Sequence, residues 1–377
     1  MGGSGFDVIV VGAGPGGSAA AKKCAQVGMK VLVLEKHALP RYKMCAGWLM
    51  GTYTQNIVVR SFGEVPQHIL NDPAYLSGFE VHQPGGRCQK VEGCFPQAWR
   101  TDLDYWMNQQ ALNAGAEIWD ECQVTNVVEN NQQCIVRLRR KGKEQELSTR
   151  FVIGADGHAS LIRKCLYPDL KPVAVQMVQQ WYRGELKDID REYSHIFLAS
   201  EKTCDVAAMV PGSLFNLGYK EDVFYIGCST APGKWRENQL KAREILAQYH
   251  GFDLSQRPAW TDGCVVPELH ASLIDGSFRP ARGNILLIGD AAGLLDLRAG
   301  DGIGSAIYTG VLAVDCFIKA AKEGGKADVL YMESMRKMIS RISQLRSAFL
   351  AGQEQRGDFN HNILMQGAVQ YLKLGLL

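Results

Sequence analysis

The chain has 377 residues, 46% of them hydrophobic, enough for a sizeable core and, by length, roughly two domains. Its 41 basic and 39 acidic residues leave a formal charge of +2 with no long single-sign run, which argues against nucleic acid as a partner and favours small or apolar ones. Eleven cysteines without a Cys-x-x-Cys pair argue against a disulfide framework, and a strand starting near Phe6 leaves no room for a signal peptide, so a reducing cytoplasm is the expected compartment.

Two short apolar strands, Val8 to Val11 and Val31 to Leu34, flank an Ala- and Gly-rich helix, a βαβ unit that ends at Glu35. A loop with Pro40 and Gly47 follows. Residues 78 to 91 read as a hairpin, and Arg100 to Gly115 as a helix leading to a strand near Val124 to Val128. A buried strand, Phe151 to Ile153, then runs into Gly154-Ala155-Asp156-Gly157. From about 171 to 265 the pattern becomes alternating strands, among them Val173 to Trp181 and Val223 to Cys228, with one helix around Gln239 to Tyr249. The pattern of 283 to 320 returns to that of the start, and helices follow. There Met332, Met335, Met338, Ile339, Ile342 and Leu345 fall at helical spacing, which favours a core stripe over a binding face. No uninterrupted apolar run reaches about 18 residues, which argues against a spanning helix. The tail from Ile363 to Leu377, apolar but for Lys373, reads as a helix packed on the core or as a peripheral membrane contact.

Two stretches carry the chemistry. In the first, Gly12 allows a tight turn, Gly14 lets backbone approach a pyrophosphate, and Gly17 lets helix and strand pack; Glu35, about 20 residues on, can accept hydrogen bonds from a ribose. In the second, Gly289-Asp290-Ala291-Ala292-Gly293 follows the apolar run from Ile285, and puts the Asp290 carboxylate at the mouth of the sheet as ribityl ligand or helix cap. Gly300-Asp301-Gly302-Ile303 lets backbone lie against a flat ring at a new helix start, with Asp301 as cap or catalyst. The pair, in this order, points to FAD. The eight histidines show no His-x-x-x-His spacing, so the sequence suggests no metal.

With Gly154-Ala155-Asp156-Gly157-x-x-Ser160-x-x-Arg163, these motifs resemble the FAD-dependent oxidoreductase superfamily of para-hydroxybenzoate hydroxylase, over residues 6 to 320. Within it, the loop Lys43-Met44-Cys45-Ala46-Gly47 is similar to the Lys-x-Cys-Gly-Gly loop of the geranylgeranyl reductase family. The resemblance implies an α/β fold: a Rossmann-like FAD-binding domain, a βαβ unit in a three-layer architecture, interleaved with a sheet-rich substrate domain and followed by a C-terminal helical segment. The FAD-binding domain takes 1–77, 100–170 and 266–325, the substrate domain 78–99 and 171–265, and the helices 326–377. It also implies cofactor contacts. Glu35 binds the adenosine ribose, Arg100 touches the cofactor and Asp290 holds its ribityl or pyrophosphate region, while Pro15, Lys36, Cys45, Ala46, Val124, Asp156 and Gly157 complete the set.

The chain departs from the reductase pattern at Asp296-Leu297-Arg298-Ala299, where the family's proline is lost and Arg298 becomes a candidate to stabilise an anionic reduced ring or to form a surface ion pair. The family's Trp before a strand-ending Pro is replaced by Ala208-Met209-Val210-Pro211. Cys45 reads as the proton donor that accompanies hydride addition to an alkene, or as a small buried hydrophobe; Arg41 and Lys43 would lower its pKa. The leading expectation is hydride transfer between flavin N5 and a carbon-carbon bond of an apolar, isoprenoid-type substrate, in either direction. NAD(P)H or a reduced carrier protein would be the electron donor. A flavin monooxygenase is the alternative, with a flavin-dependent halogenase less favoured because no two of the seven tryptophans lie two residues apart.

Overall fold

A computed structural model describes residues 5–131, 133–198, 213–295 and 301–354, the last seven as helix backbone. Four apolar strands make the centre of a six-stranded sheet: β1 (Val8–Val11), β2 (Val31–Leu34), β9 (Phe151–Gly154) and β16 (Ile285–Leu287). With β5 (Glu117–Trp119) and β15 (Ala281–Arg282) the order is β15-β16-β9-β1-β2-β5, parallel except at the β15 edge. The central strands are buried on both faces, which is why they read as continuous apolar runs. Helices α1 (Pro15–Gln26), α3 (Arg100–Asn113) and α7 (Ile303–Glu323) supply the cover.

A second sheet, of seven strands, has the order β14-β10-β13-β12-β11-β3-β4, drawn from β3 (Leu70–His82), β4 (Cys88–Ala98), β10 (Val173–Arg183), β11 (Tyr193–Leu198), β12 (Ser213–Lys220), β13 (Val223–Thr230) and β14 (Trp260–Glu268). Its hairpin β3–β4 begins eight residues ahead of the expected start at 78, because β3 continues back through two register shifts to Leu70. One face carries α5 (Trp235–His250) over Phe197, Phe215 and Phe224; the other carries Trp48, Phe79, Phe95, Trp181 and Tyr225. A small antiparallel sheet of β6 (Cys122–Asn130), β7 (Gln133–Arg140) and β8 (Lys143–Thr149) extends the expected strand at Val124.

The remaining helices are α2 (Gly51–Phe62), α4 (Leu161–Leu166), α6 (His270–Asp275), α8 (Ala327–Ser334) and α9 (Arg336–Glu354). Met335, Met338 and Ile342 are fully buried in the main core, with Met332, Ile339 and Leu345 packed on it, so the methionine stripe is core. By length and composition α7 could cross a membrane, although no unbroken apolar run marks it; most of it is buried against α1, α2 and α8. The tail from Ile363 to Leu377, with Lys373, lies outside the described residues.

Candidate functional site: a dinucleotide cradle and a half-buried thiol

The carboxyl edge of β1 opens into the first cradle. Gly12 has φ +106°, and a Cβ there would overlap the Ala155 backbone, so only glycine makes this turn. A Cβ on Gly17 would overlap the Gly12 carbonyl, the close strand–helix contact expected of it. Gly14 differs: a Cβ there would meet only the end of the Arg41 side chain, at 3.5 Å. The protein leaves that space open where α1 starts, with Pro15 in its first turn and no side-chain cap on its N–H groups. A pyrophosphate fits this cradle.

Glu35 ends β2 almost fully buried, and its carboxylate accepts the Ala13 N–H at 2.9 Å and the His37 N–H at 3.1 Å. Lys36 beside it is exposed. The Glu35 carbonyl accepts the Cys122 N–H at 2.8 Å, which starts β6 here and brings Val124 near the same edge. Asn108 ties the turn from below, donating to the Ala13 carbonyl at 2.9 Å and Ser18 Oγ at 2.7 Å.

The second cradle lies at the start of α7. A Cβ on Gly302 would come within 2.9 Å of Asp290 Oδ1, so the Asp290 carboxylate lies against the backbone that begins this helix. Gly289 packs on Ala306, and Ala306 packs on Gly16; the first turns of α1 and α7 therefore touch. Asp301 is buried and caps the helix: Oδ1 accepts the Ile303 N–H at 3.1 Å and Oδ2 the Thr54 hydroxyl at 2.6 Å. Of the two readings of Asp301, this geometry gives it the cap. Arg298 and Gly300 lie outside the described residues, as do Leu297, Ala299 and Ala208 to Pro211.

Asp156 has a local task as well. Its carboxylate accepts Ser160 Oγ at 2.6 Å and the N–H groups of Leu161 and Ile162 at 2.6 and 3.1 Å, capping α4, while Gly157 turns the chain with φ +72°. Arg163 then donates to the Ala291 carbonyl at 2.9 Å and the His158 carbonyl at 2.6 Å, which fixes the Asp290 turn to α4. That is the physical content of the Asp-Gly-x-x-Ser-x-x-Arg spacing.

Between cradles and second sheet lies the Cys45 loop. After Cys45 it runs antiparallel to β4, with Ala98 N–H donating to Gly47 O at 3.0 Å and Leu49 N–H to Pro96 O at 2.9 Å. Gly47 has φ +72° and presses on the Ala98 carbonyl, so a side chain is excluded there. Tyr42 donates a hydrogen bond to Asp262, and Met44 Sδ lies 3.8 Å from Cys264 Sγ, pinning the loop to β14. Cys45 Sγ accepts the Gly47 N–H at 3.3 Å and lies in the field of the Arg100 guanidinium. Burial alone would raise its pKa. Arg100, Lys43, the Gly47 N–H and Lys220 outweigh that and hold the thiol below its ordinary 9.0.

Arg41, expected to act on Cys45, is engaged elsewhere. It reaches Glu35 at 3.4 Å and Asp104 at 3.4 Å, and Asp104 takes a bidentate pair from Arg100 at 2.6 and 2.8 Å. A chain of charges, Glu35–Arg41–Asp104–Arg100–Cys45, thus links the first cradle to the thiol. Lys220, on β12, was not legible in the sequence as a site residue. Its Nζ is fully buried, donates to the Ala98 carbonyl at 3.0 Å, lies 4.4 Å above the Trp99 ring, and has its pKa pushed down to about 7 by desolvation. Beyond it stands an aromatic wall: Trp181 stacks on Trp260 at 5.1 Å and packs on Trp99 and Tyr225 at 5.1 and 5.0 Å, with Trp48 and Ala46 alongside.

Residues 5–341 match the FAD binding domain family. The chain belongs to that family. It is an FAD-dependent oxidoreductase of the para-hydroxybenzoate hydroxylase-like superfamily. It is 25% identical over 341 residues to Protein CbrA of Escherichia coli K12, spanning 88% of this chain and 89% of that one. Among solved structures it resembles a geranylgeranyl bacteriochlorophyll reductase-like protein of Thermoplasma acidophilum, with TM-score 0.73, 18% identity, and 98% and 97% of the two chains covered. It also resembles the p-nitrophenol 4-monooxygenase PnpA of Pseudomonas putida DLL-E4, with TM-score 0.72, 14% identity, and 98% and 94% covered. At these identities the likeness is one of fold. The residues present suit the FAD of this family: the N-terminal turn of α1 with Gly14 would take its pyrophosphate, Glu35 its ribose, and Asp290 with the start of α7 its ribityl chain and ring.

Proposed function

We propose that the protein reduces a carbon-carbon double bond of an apolar substrate of the isoprenoid class. When bound, FAD supplies hydride exchange at its N5 position. Cys45 supplies the proton that must reach the other carbon. The observation that carries this reading is the setting of that thiol: half-buried, beside an aromatic wall, and surrounded by Arg100, Lys220 and the Gly47 N–H.

Those groups stabilise the thiolate left after donation, which lowers the barrier to giving the proton away. Lys220, with a pKa near the operating pH, returns a proton to Cys45 between turnovers. Run backwards, the same pair would accept a proton from a saturated substrate, so a desaturase shares this site. NAD(P)H or a reduced carrier protein is the proposed electron donor.

The test is to reduce the FAD-loaded protein without oxygen and mix it with geranylgeraniol and shorter polyprenols, following the flavin spectrum and the product mass. Anaerobic return of the oxidised spectrum with a product heavier by two hydrogens supports the reading. A product formed only when oxygen is admitted, and carrying an added oxygen atom, favours a monooxygenase instead.

A further inference from the structure

We propose that Glu80, His82, Cys88 and His195 form a binding site for one divalent transition metal of the zinc class, on the face of the seven-stranded sheet turned away from the cofactor cradles. The four come together through strand pairing. His82 of β3 stands opposite Cys88 of β4, and Glu80, two residues before His82, shares its face. In the parallel pairing of β3 with β11, His195 lies opposite Glu80. Phe79 and Val81 alternate to the other face, where Phe79 packs on Trp48.

The donor atoms converge. Those of Glu80, His82 and Cys88 all lie within 4.8 Å of one another. His82 Nε2 is 2.9 Å from His195 Nδ1, Cys88 Sγ is 2.7 Å from Glu80 Oε1, and His195 Nδ1 is 3.8 Å from Glu80 Oε2. A tetrahedral ion with bonds of about 2.0–2.3 Å holds its ligands roughly 3.4 Å apart, a spacing that these three separations bracket. One thiolate, two imidazoles and one carboxylate are a donor set suited to zinc or cobalt and poorly suited to calcium or magnesium.

The surroundings orient the ligands. His195 is fully buried, and its Nε2 meets the Asp190 carbonyl at 2.8 Å; that bond places the proton on Nε2 and leaves the Nδ1 lone pair facing the site. The His82 ring stacks on Phe197 with centroids 4.1 Å apart and planes within 3°, fixing where its Nε2 points. Lys90, whose charge acts on Cys88, is drawn off by Asp190 at 3.0 Å and by the Tyr193 ring at 3.8 Å. With four protein ligands the site is closed, so its role is structural: it joins the edge hairpin β3–β4 to β11.

The probe is Co²⁺ added to untagged, FAD-loaded protein after dialysis against a chelator, read as a difference spectrum against the flavin. The proposal expects a thiolate-to-cobalt charge-transfer band and the strong red absorption of a four-coordinate ion, saturating at one equivalent and displaced by Zn²⁺. Cys88 is exposed, so Cys88→Ser keeps the fold; it should remove the charge-transfer band and weaken binding roughly tenfold or more, as should His82→Gln. The flavin spectrum of each variant reports that the protein is folded. Wild-type protein without saturable red absorption, or both variants binding Co²⁺ as wild type does, would overturn the site.

Discussion

Lys220 Nζ donates to the Ala98 carbonyl from a wholly buried position, and Ala98 is itself bonded to Gly47, two residues from the Cys45 thiol. Burial depresses this lysine from an ordinary 10.5 to about 7, so between those values the unfolded chain holds one proton more than the folded one. Stability contributed by this group therefore rises as pH climbs from about 7 towards 10.5, and below 7 the whole penalty of burying the charge is felt. Lys220→Met should remove that slope. Melting temperatures of wild type and variant, compared at about pH 6.5 and pH 9.5, should favour the variant most at the lower value; parallel curves would exclude a depressed Lys220.

The glycines of the first turn separate packing from cofactor contact. Gly17→Ala forces a methyl group into the Gly12 carbonyl and should misfold or strongly destabilise the protein. Gly14→Ala meets only the flexible end of Arg41 at 3.5 Å, so the protein should fold normally yet bind FAD about ten- to a hundredfold more weakly, through loss of close backbone approach to the pyrophosphate. Flavin titration beside circular dichroism checks both. Full FAD affinity in a folded Gly14→Ala protein would move the pyrophosphate elsewhere.

Cys45→Ala should leave FAD bound and slow turnover by about 10²- to 10⁴-fold, the usual worth of a positioned acid. Cys45→Ser, whose hydroxyl is far less acidic, should be nearly as slow. If single-turnover rates of both match wild type, the cysteine belongs to packing alone.

Asp301→Asn keeps the shape of the cap but removes its charge, and Thr54→Val removes the hydroxyl that Asp301 accepts. Each should cost about 0.5–2 kcal/mol of stability, measured by urea unfolding, with flavin reduction rates within a fewfold of wild type. A collapse in rate at unchanged stability would instead mark Asp301 as catalytic.

The parts legible in the sequence were those whose physics is local. The run Val8 to Val11 into Gly12, Gly14 and Gly17 dictates strand, turn and helix start from sterics alone, and the run from Ile285 into Asp290 does so again. The small sheet β6–β8 was legible only at Val124 to Val128. In β7 only Cys134, Val136 and Leu138 are buried, alongside polar residues that form cross-strand pairs such as Arg137–Glu146 at 3.0 Å, and β8 is largely exposed and polar, so neither stands out as an apolar run. Arg41 illustrates the other limit. Sequence proximity assigned its charge to Cys45, but packing brought Asp104 from α3 and Glu35 from β2 to it, while Lys220, 175 positions from Cys45, took the place beside the thiol.

A reductase and an oxygen-inserting enzyme differ in how their reduced flavin meets oxygen, and one measurement reads this without any substrate. The FAD-loaded protein is reduced anaerobically and mixed with air-saturated buffer in a rapid-scanning spectrophotometer. A direct passage from the reduced to the oxidised flavin spectrum, with no intermediate absorbance that outlives mixing, is the predicted result. A long-lived oxygen-dependent species between the two spectra would contradict it.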